Sequence, residues 1–179
     1  MKNIVRDIKL KLINSNIEVD TSDLFGFFDN FFKKRRIIRY LLENGAVLTG
    51  SRALKCYKIG EKSIIDRDPH DWDFIMTRKQ FKKMCKDYKI YDADLNTDKY
   101  YMNRSFSAIY SAYGDISYLF PCHIQILINN DLGSFTTTKD GINLSTLSEI
   151  IEYKEHLCSK NGKKKHMSDI NNIYLNLMK

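Results

Sequence analysis

Two stretches of the chain decide the fold: residues 46–51 read AVLTGS and residues 71–76 read DWDFIM. The first is a short apolar run that ends in a Gly–Ser pair, which predicts a buried strand followed at once by a turn. The second is rich in aromatic and β-branched residues and predicts another strand. Since side chains alternate along a strand, Asp71 and Asp73 are expected to project from one face, with Trp72 in the core on the other.

Short elements around these two strands predict a mixed sheet with helices packed on it. Residues 52–57 fit the first turns of a helix, and residues 78–87 fit a charged helix. Three later runs are short and rich in β-branched or aromatic residues, and they predict strands at 105–110, 116–120 and 123–128. The middle of the chain is therefore expected to be a small α/β unit.

The two ends of the chain are predicted to be mainly helical, although residues 1–20 fit either a helix or a strand. Apolar residues recur at helical spacing between a Ser/Thr cap at 21–22 and Gly45. At the far end Thr146 opens a capping-box spacing, and an apolar stripe follows between 167 and 177. We predict one α+β domain, a short mixed sheet flanked by helices. Its parts within residues 1–179 are an N-terminal helical part at 1–45, a core at 46–130 and a C-terminal helical pair at 144–179.

The composition is that of a soluble globular domain. The 179 residues are 43% hydrophobic and 12% aromatic, which supplies a core and excludes wholesale disorder. No stretch approaches the roughly 20 apolar residues of a membrane span, and the first residues lack the apolar core of a secretory signal. The four cysteines form no CxxC pair, so neither a zinc site nor a disulfide framework is indicated. An intracellular, cytoplasmic protein with reduced thiols is the simpler interpretation.

The charge balance favours an anionic partner. With 29 Lys+Arg against 22 Asp+Glu, the formal net charge is +7. Two basic runs, at 33–36 and 163–166, either form solvated faces or bind nucleic acid such as RNA. The Phe-rich segment 25–32 is expected to pack in the core, with an exposed patch for a partner protein as the alternative.

The pair Asp71 and Asp73 predicts a metal site. Two carboxylates side by side on a strand repel each other unless a cation neutralises them, and Mg²⁺ prefers such oxygen ligands, which it commonly bridges to substrate phosphates. Spacing alone leaves open that the pair is an acidic turn without a ligand. A second acidic pair in residues 66–68 precedes a proline and is assigned to a loop, where Arg67 is either a local ion-pair partner or a phosphate contact.

The Gly–Ser pair predicts a phosphate contact beside that metal site. Gly50 lets the backbone approach a ligand closely. The Ser51 hydroxyl is a candidate phosphate ligand, and its alternative role is that of an ordinary helix cap. Metal ligands and a phosphate contact together favour phosphoryl chemistry, which depends mainly on positioning and electrostatics.

The sequence GSRAL at 50–54, followed by HDWDF at 70–74, resembles the DNA polymerase β-like nucleotidyltransferase superfamily. It is especially similar to the small, minimal members found in phages, viruses and toxin–antitoxin systems. Residues 152–156, EYKEH, and 165–170, KHMSDI, also resemble the C-terminal helices of such proteins. The resemblance runs loosely from about 46 to 172. It implies a nucleotidyltransferase-like fold with an N-terminal helical extension.

The resemblance also implies transfer of a nucleoside monophosphate from an NTP to an acceptor hydroxyl, on RNA or a protein. Asp71 and Asp73 would be catalytic and would hold Mg²⁺ or Mn²⁺. The implied nucleotide-binding residues are Gly50, Ser51, Arg52 and Lys154. From the residues alone, Arg52 could instead pair with the aspartates, and Lys154 could be a solvated helix lysine. Abundant Lys, Asn and Ile fit an AT-rich viral or phage genome, which would place the protein in the host-cell cytoplasm.

The strand that should carry a third catalytic carboxylate departs from the superfamily pattern. Residues 122–128 read CHIQILI, and Gln125 falls where Asp or Glu is expected. A neutral amide can coordinate a metal through its oxygen but cannot act as a general base. Asp115 and His123 are candidate substitutes. The alternative to a transferase is therefore a catalytically degenerate member that acts as a nucleotide- or RNA-binding module or as a protein-interaction factor.

Overall fold

The computed structural model describes residues 2–12, 15–22, 24, 36–88, 95–96, 108–111, 124–161 and 164–178. Its helices are α1 (Lys2–Leu12), α2 (Arg36–Glu43), α3 (Gly50–Cys56), α4 (Arg78–Asp87), α5 (Leu147–Asn161) and α6 (Lys164–Leu177). Its strands are β1 (Ile17–Val19), β2 (Val47–Thr49), β3 (Tyr57–Ile59), β4 (Lys62–Ser63), β5 (Trp72–Met76), β6 (Leu95–Asn96), β7 (Ala108–Ser111), β8 (Ile124–Ile128), β9 (Phe135–Thr137) and β10 (Asn143–Ser145).

The strands form two sheets. The larger has the order β6-β7-β8-β5-β2-β10-β9, and the smaller has the order β1-β3-β4. In the larger sheet β5 pairs antiparallel with β2 and parallel with β8, and β10 lies parallel to β2. The predicted α+β class, with a mixed sheet and packed helices, is confirmed.

The two decisive stretches lie at the centre of the larger sheet as β2 and β5. On one face of β5, Trp72, Phe74 and Met76 are at most 1% exposed and belong to the main core. The Trp72 and Phe74 rings stack at a centroid distance of 6.2 Å. On the other face Ile75 belongs to a smaller apolar cluster. Because side chains alternate, Asp73 lies on this second face, as predicted, and Trp72 is confirmed as a core residue.

The C-terminal helical pair is confirmed. The Thr146 hydroxyl accepts a hydrogen bond from the Glu149 amide at 3.4 Å, which caps α5 as the capping-box spacing predicted. On α6 the expected apolar stripe is buried at Ile170, Ile173 and Leu177. The expected start of this part at residue 144 is wrong, because Asn143–Ser145 pairs with β2 as a strand of the larger sheet.

The N-terminal part contains a strand as well as helices. The region 1–20, whose pattern fits either type, holds both α1 and β1, and β1 pairs with β3 in the smaller sheet. Most of the predicted front helix, with the Phe-rich segment 25–32 and most of the basic run 33–36, lies outside the described residues, as does the strand predicted at 116–120. No helix in the described ranges has the length and hydropathy needed to cross a membrane.

Candidate functional site

The turn between β2 and α3 brings Gly50 against Asp73. Gly50 has a φ of +67°, in the left-handed region that favours glycine. A Cβ atom at this position would lie 2.1 Å from the Asp73 Oδ2 atom, far inside van der Waals contact. Thr49 pairs with Asp73 across β2 and β5, which places the carboxylate beside the turn. Glycine is therefore needed here both for the backbone conformation and for the space.

The two predicted metal ligands differ in their surroundings. Burial raises the pKa of Asp73 to about 6; Asp71 adds to this shift, and the positive charges of Lys154 and Lys165 oppose it. Asp71 lies one residue before β5 with 44% of its side chain exposed. Its Oδ2 atom accepts a hydrogen bond from Lys165 Nζ at 3.1 Å. The negative charge of Asp73 is thus less well neutralised by its neighbours than that of Asp71.

Gln125 lies beside Asp73 in the sheet. Gln125 on β8 is opposite Asp73 on the parallel strand β5, and opposite Ser111 on β7. The position assigned to a third carboxylate therefore does adjoin Asp73, but it carries an amide. The suggested substitutes, Asp115 and His123, lie outside the described residues. Within the described ranges, no group of three or more His, Cys, Asp or Glu side chains could hold a metal ion.

Next to this face lies a buried ion cluster, formed by Ser51, Arg67, Lys154 and Asp169. Lys154 on α5 is 2% exposed, and its Nζ donates to Asp169 Oδ2 at 2.6 Å and to Ser51 Oγ at 3.0 Å. Arg67 donates to both carboxylate oxygens of Asp169 at 2.7 Å and to Ser51 Oγ at 2.6 Å. Asp169 on α6 is fully buried. The cluster thereby ties the turn after β2 to both C-terminal helices.

The charges of the buried ion cluster sum to +1, from two cations and one carboxylate. Burial alone would raise the pKa of Asp169, but hydrogen bonds from Arg67 and the charge of Lys154 outweigh it and hold that pKa at about 2. Burial lowers the pKa of Lys154, and the adjacent carboxylate of Asp169 opposes the change. Lys154 also interacts electrostatically with Asp73. The cluster therefore adds positive potential next to the Asp73 face.

The structure gives internal contacts to three residues singled out in the sequence. Arg52 donates a hydrogen bond to the Pro69 carbonyl, and its guanidinium carbon lies 4.7 Å from the centre of the Trp72 ring. The interpretation of Lys154 as a solvated lysine is wrong, because it is buried against Asp169. The interpretation of Arg67 as a local partner of its neighbours is also wrong, because it binds a carboxylate 102 residues away.

Asp169 is the residue that sequence reasoning missed, although a signal for it existed. Asp169 precedes Ile173 by four residues on α6, so it lies on the apolar face of the helix. Lys154 follows Ile150 by four residues on α5, so it also lies on the apolar face of its helix. Unpaired charges are almost never fully buried. Opposite charges on the apolar faces of two consecutive helices therefore predict a buried pair.

A family model described as "Domain of unknown function (DUF7277)" matches residues 46–142, more than half of the chain. The chain belongs to this family. The DUF7277 segment begins one residue before β2 and contains Gly50, Arg67 and both candidate metal ligands. It ends before α5, so Lys154 and Asp169 lie beyond it. No match was found among curated proteins or among solved structures.

Proposed function

We propose that this DUF7277 protein binds a nucleoside triphosphate together with Mg²⁺ or Mn²⁺ and transfers the nucleoside monophosphate to an acceptor hydroxyl. One observation carries the proposal: the Asp73 carboxylate lies against the Gly50 turn and is influenced by the positively charged buried ion cluster. A metal ligand, a close backbone approach and positive potential are thus combined, as a triphosphate site requires. The resemblance to nucleotidyltransferases supplies the reaction type.

The donor atoms on this face suit a hard divalent cation. Asp71 and Asp73 offer carboxylate oxygens, and Gln125 offers an amide oxygen beside Asp73. The raised pKa of Asp73 means that its negative charge is poorly compensated, and a bound cation would lower it. When bound, Mg²⁺ would offset the negative charge of the triphosphate during transfer.

In the proposed reaction the acceptor oxygen forms a bond to the α-phosphorus, and the bond from that phosphorus to the oxygen bridging to the β-phosphate breaks. Pyrophosphate leaves with the electron pair, and the acceptor proton passes to a base. Gln125 cannot accept this proton. Asp73 is not assigned this role, because the cation that it would hold lowers its pKa, and the acceptor proton passes to water.

In this proposal the buried ion cluster acts on the triphosphate mainly through its positive electrostatic potential. The Ser51 hydroxyl accepts hydrogen bonds from Arg67 and Lys154 and donates one to Asp169, so its hydrogen-bonding capacity is used within the protein. Lys154 is buried beside Asp73's face and stabilises negative charge there at a distance. Arg67, whose side chain is 28% exposed, is the member of the cluster that a phosphate can reach directly.

The second candidate function is nucleotide binding without transfer, and Gln125 is the observation that favours it. An amide beside Asp73, in place of a carboxylate, lowers the negative charge available to a bound cation and removes a general base. The proposed RNA acceptor fits either candidate, because Lys164 and Lys165 are exposed at the start of α6, and Lys165 contacts Asp71. Steep weakening of RNA binding with added salt is expected; a flat response would exclude phosphate contacts.

Calorimetry with each NTP, with and without Mg²⁺, tests the binding site. We expect Mg²⁺-dependent binding by the wild type and loss of binding in the double variant Asp71→Asn, Asp73→Asn. The matched control is Asp66→Asn, Asp68→Asn, which removes the same two charges from an exposed acidic pair. Equal binding by wild type and the first double variant would refute the proposed site, as would equal loss in both double variants.

Transfer of label from α-³²P-NTP to RNA or protein then separates the two candidate functions. Labelled product from the wild type supports the transferase. Product from Gln125→Glu alone identifies a degenerate site that regains its third carboxylate. Nucleotide binding without labelled product in either protein supports the binding module.

A further inference from the structure

A groove separate from the candidate site runs between the smaller sheet and the edge of the larger one. It has a volume of about 860 Å³ and is lined by residues 18–22, 58, 60–61 and 136–140. These residues come from β1, from the β3–β4 hairpin and from β9 with the turn that follows it. None of them belongs to the buried ion cluster or to the Asp73 face. The groove is therefore independent of the proposed nucleotide site.

One wall of the groove is the terminal strand of the larger sheet. Among the described strands, β9 has β10 on one side and no strand on the other. The Thr138 amide bonds to the Ile142 carbonyl at 2.8 Å, and the Thr146 amide bonds to the Ser134 carbonyl at 2.9 Å. Because bonded residues alternate along an antiparallel pair, Phe135 and Thr137 direct their amides and carbonyls away from β10. This edge has the polarity that an added strand requires.

The side chains around the groove combine apolar contacts with negative charge. Val19 on β1 lines the groove and is 39% exposed, and Phe135, next to the lining residues of β9, is 40% exposed; few large apolar residues in the described ranges are as exposed. The groove carries four carboxylates and two lysines, a net charge of −2, within a chain of net charge +7. The charged lining residues are Glu18, Asp20, Lys58, Glu61, Lys139 and Asp140.

Two hydrogen bonds hold the walls of the groove in place. The Thr21 hydroxyl, after β1, donates to Asp140 Oδ2, after β9, at 2.6 Å. Lys58 on β3 donates to Asp20 Oδ2 at 2.5 Å, and this bond, together with hydrogen bonds from Ser22, lowers the pKa of Asp20 to about 2. Glu18 and Glu61 are exposed at the rim. The site is thus preformed and keeps carboxylates open to a ligand.

We propose that this groove binds an extended, basic segment of a partner protein, which adds to β9 as a further strand. The outward amides and carbonyls of Phe135 and Thr137 would bond to its backbone, as in other cases of strand addition. Alternate side chains of an extended segment point the same way, so lysines or arginines at every second position would face the carboxylates. A second copy of this chain fits less well, because it would bring a second acidic groove against the first.

The probe for this site is a fluorescein-labelled peptide of alternating lysine and valine, and its matched control has glutamate in place of lysine. Fluorescence anisotropy should detect binding of the lysine peptide and not of the glutamate peptide. Amide hydrogen exchange should slow at Phe135 and Thr137 when the lysine peptide is added, because these amides become hydrogen-bonded. Equal binding of both peptides, or unchanged exchange at these amides, would overturn the proposal.

The variant Thr137→Pro tests the role of the backbone. Proline removes an outward amide that β10 does not use, and edge strands tolerate proline. Lysine-peptide binding should weaken about tenfold, the effect of losing one or two backbone bonds. Thr137→Ala keeps the amide and should bind as the wild type does, and melting curves check that both variants fold. Equal binding by the proline and alanine variants would overturn the proposal. So would a wild-type dimer in ultracentrifugation that Thr137→Pro abolishes.

The same variants separate this inference from the proposed function. Thr137→Pro should leave NTP binding by calorimetry unchanged, because the strands β2 and β10 separate β9 from Asp73 on β5. Failure of peptide binding together with intact NTP binding would therefore overturn only the groove.

Discussion

The change Asp169→Asn should cost the protein about 3–5 kcal/mol of unfolding free energy at neutral pH, the usual range when one partner of a buried ion pair is removed. Asp169 is fully buried and Lys154 is 2% exposed, so the lysine would lose its counter-ion without access to water. The lowered pKa of Asp169 gives a second, smaller value for its contribution to the free energy of unfolding. A fall from 3.8 to about 2 corresponds to about 2 kcal/mol of stabilisation from the ionised carboxylate alone.

Urea unfolding followed by circular dichroism measures this loss. The control is Asp71→Asn, which breaks the ion pair with Lys165 in which both side chains are nearly half exposed. Such a pair contributes about 0–1 kcal/mol. The double variant Lys154→Met, Asp169→Asn should recover much of the stability, since it removes the isolated buried charge and leaves the partly exposed Arg67 to reach water.

The stability that Asp169 contributes should decrease in acid. The pKa of Asp169 in the folded protein is below its ordinary value, so its contribution is present above about pH 4 and is lost as pH falls towards about 2. The Asp169→Asn variant should lack this loss. A cost below about 1 kcal/mol at neutral pH, similar to the Asp71→Asn control, would refute the buried ion cluster as a stabilising unit.

Three further predictions concern the Asp73 face. Gly50→Ala should destabilise the folded protein more than Gly60→Ala does, because both glycines have positive φ but only at Gly50 would a Cβ meet Asp73. The same variant should abolish Mg²⁺–NTP binding. Equal unfolding midpoints of the two variants would contradict this prediction. Asp73→Asn should stabilise the metal-free protein by about 3 kcal/mol at neutral pH, since the folded state holds the Asp73 proton up to about pH 6. For the same reason Mg²⁺ should raise the melting temperature of the wild type but not of Asp73→Asn.

The sequence was sufficient to locate the centre of the fold. In the runs 46–49 and 71–76, almost every buried position carries an apolar residue, so the local sequence pattern is the one that burial requires. The strands predicted from these runs therefore match β2 and β5. Helix α4 was predicted at its observed bounds from its charged helical segment, and the structure adds a capping box of Thr77 and Gln80 that fixes its start.

The parts that were missed depend on contacts distant in sequence. Strand β9 is exposed throughout and has only three residues, so no apolar alternation marks it. Its partner β10 is identified as a strand by pairing with β2, almost a hundred residues earlier. The Lys154–Asp169 pair shows the same difficulty for charges, since each residue alone looks like a solvated helix position.

The buried ion cluster also sets an order of events during synthesis of the chain. Ser51 and Asp169 are separated by 118 residues, and Arg67 and Asp169 by 102. The ribosome would release the strands β2, β5 and β8 well before α6. The sheet can therefore assemble before the Asp169 carboxylate is available to Ser51 and Arg67. A nascent chain that stops before α6 would carry Asp71, Asp73 and Gly50 yet leave Lys154 unpaired. The turn after β2 would then be tied to α6 only after translation has passed residue 169.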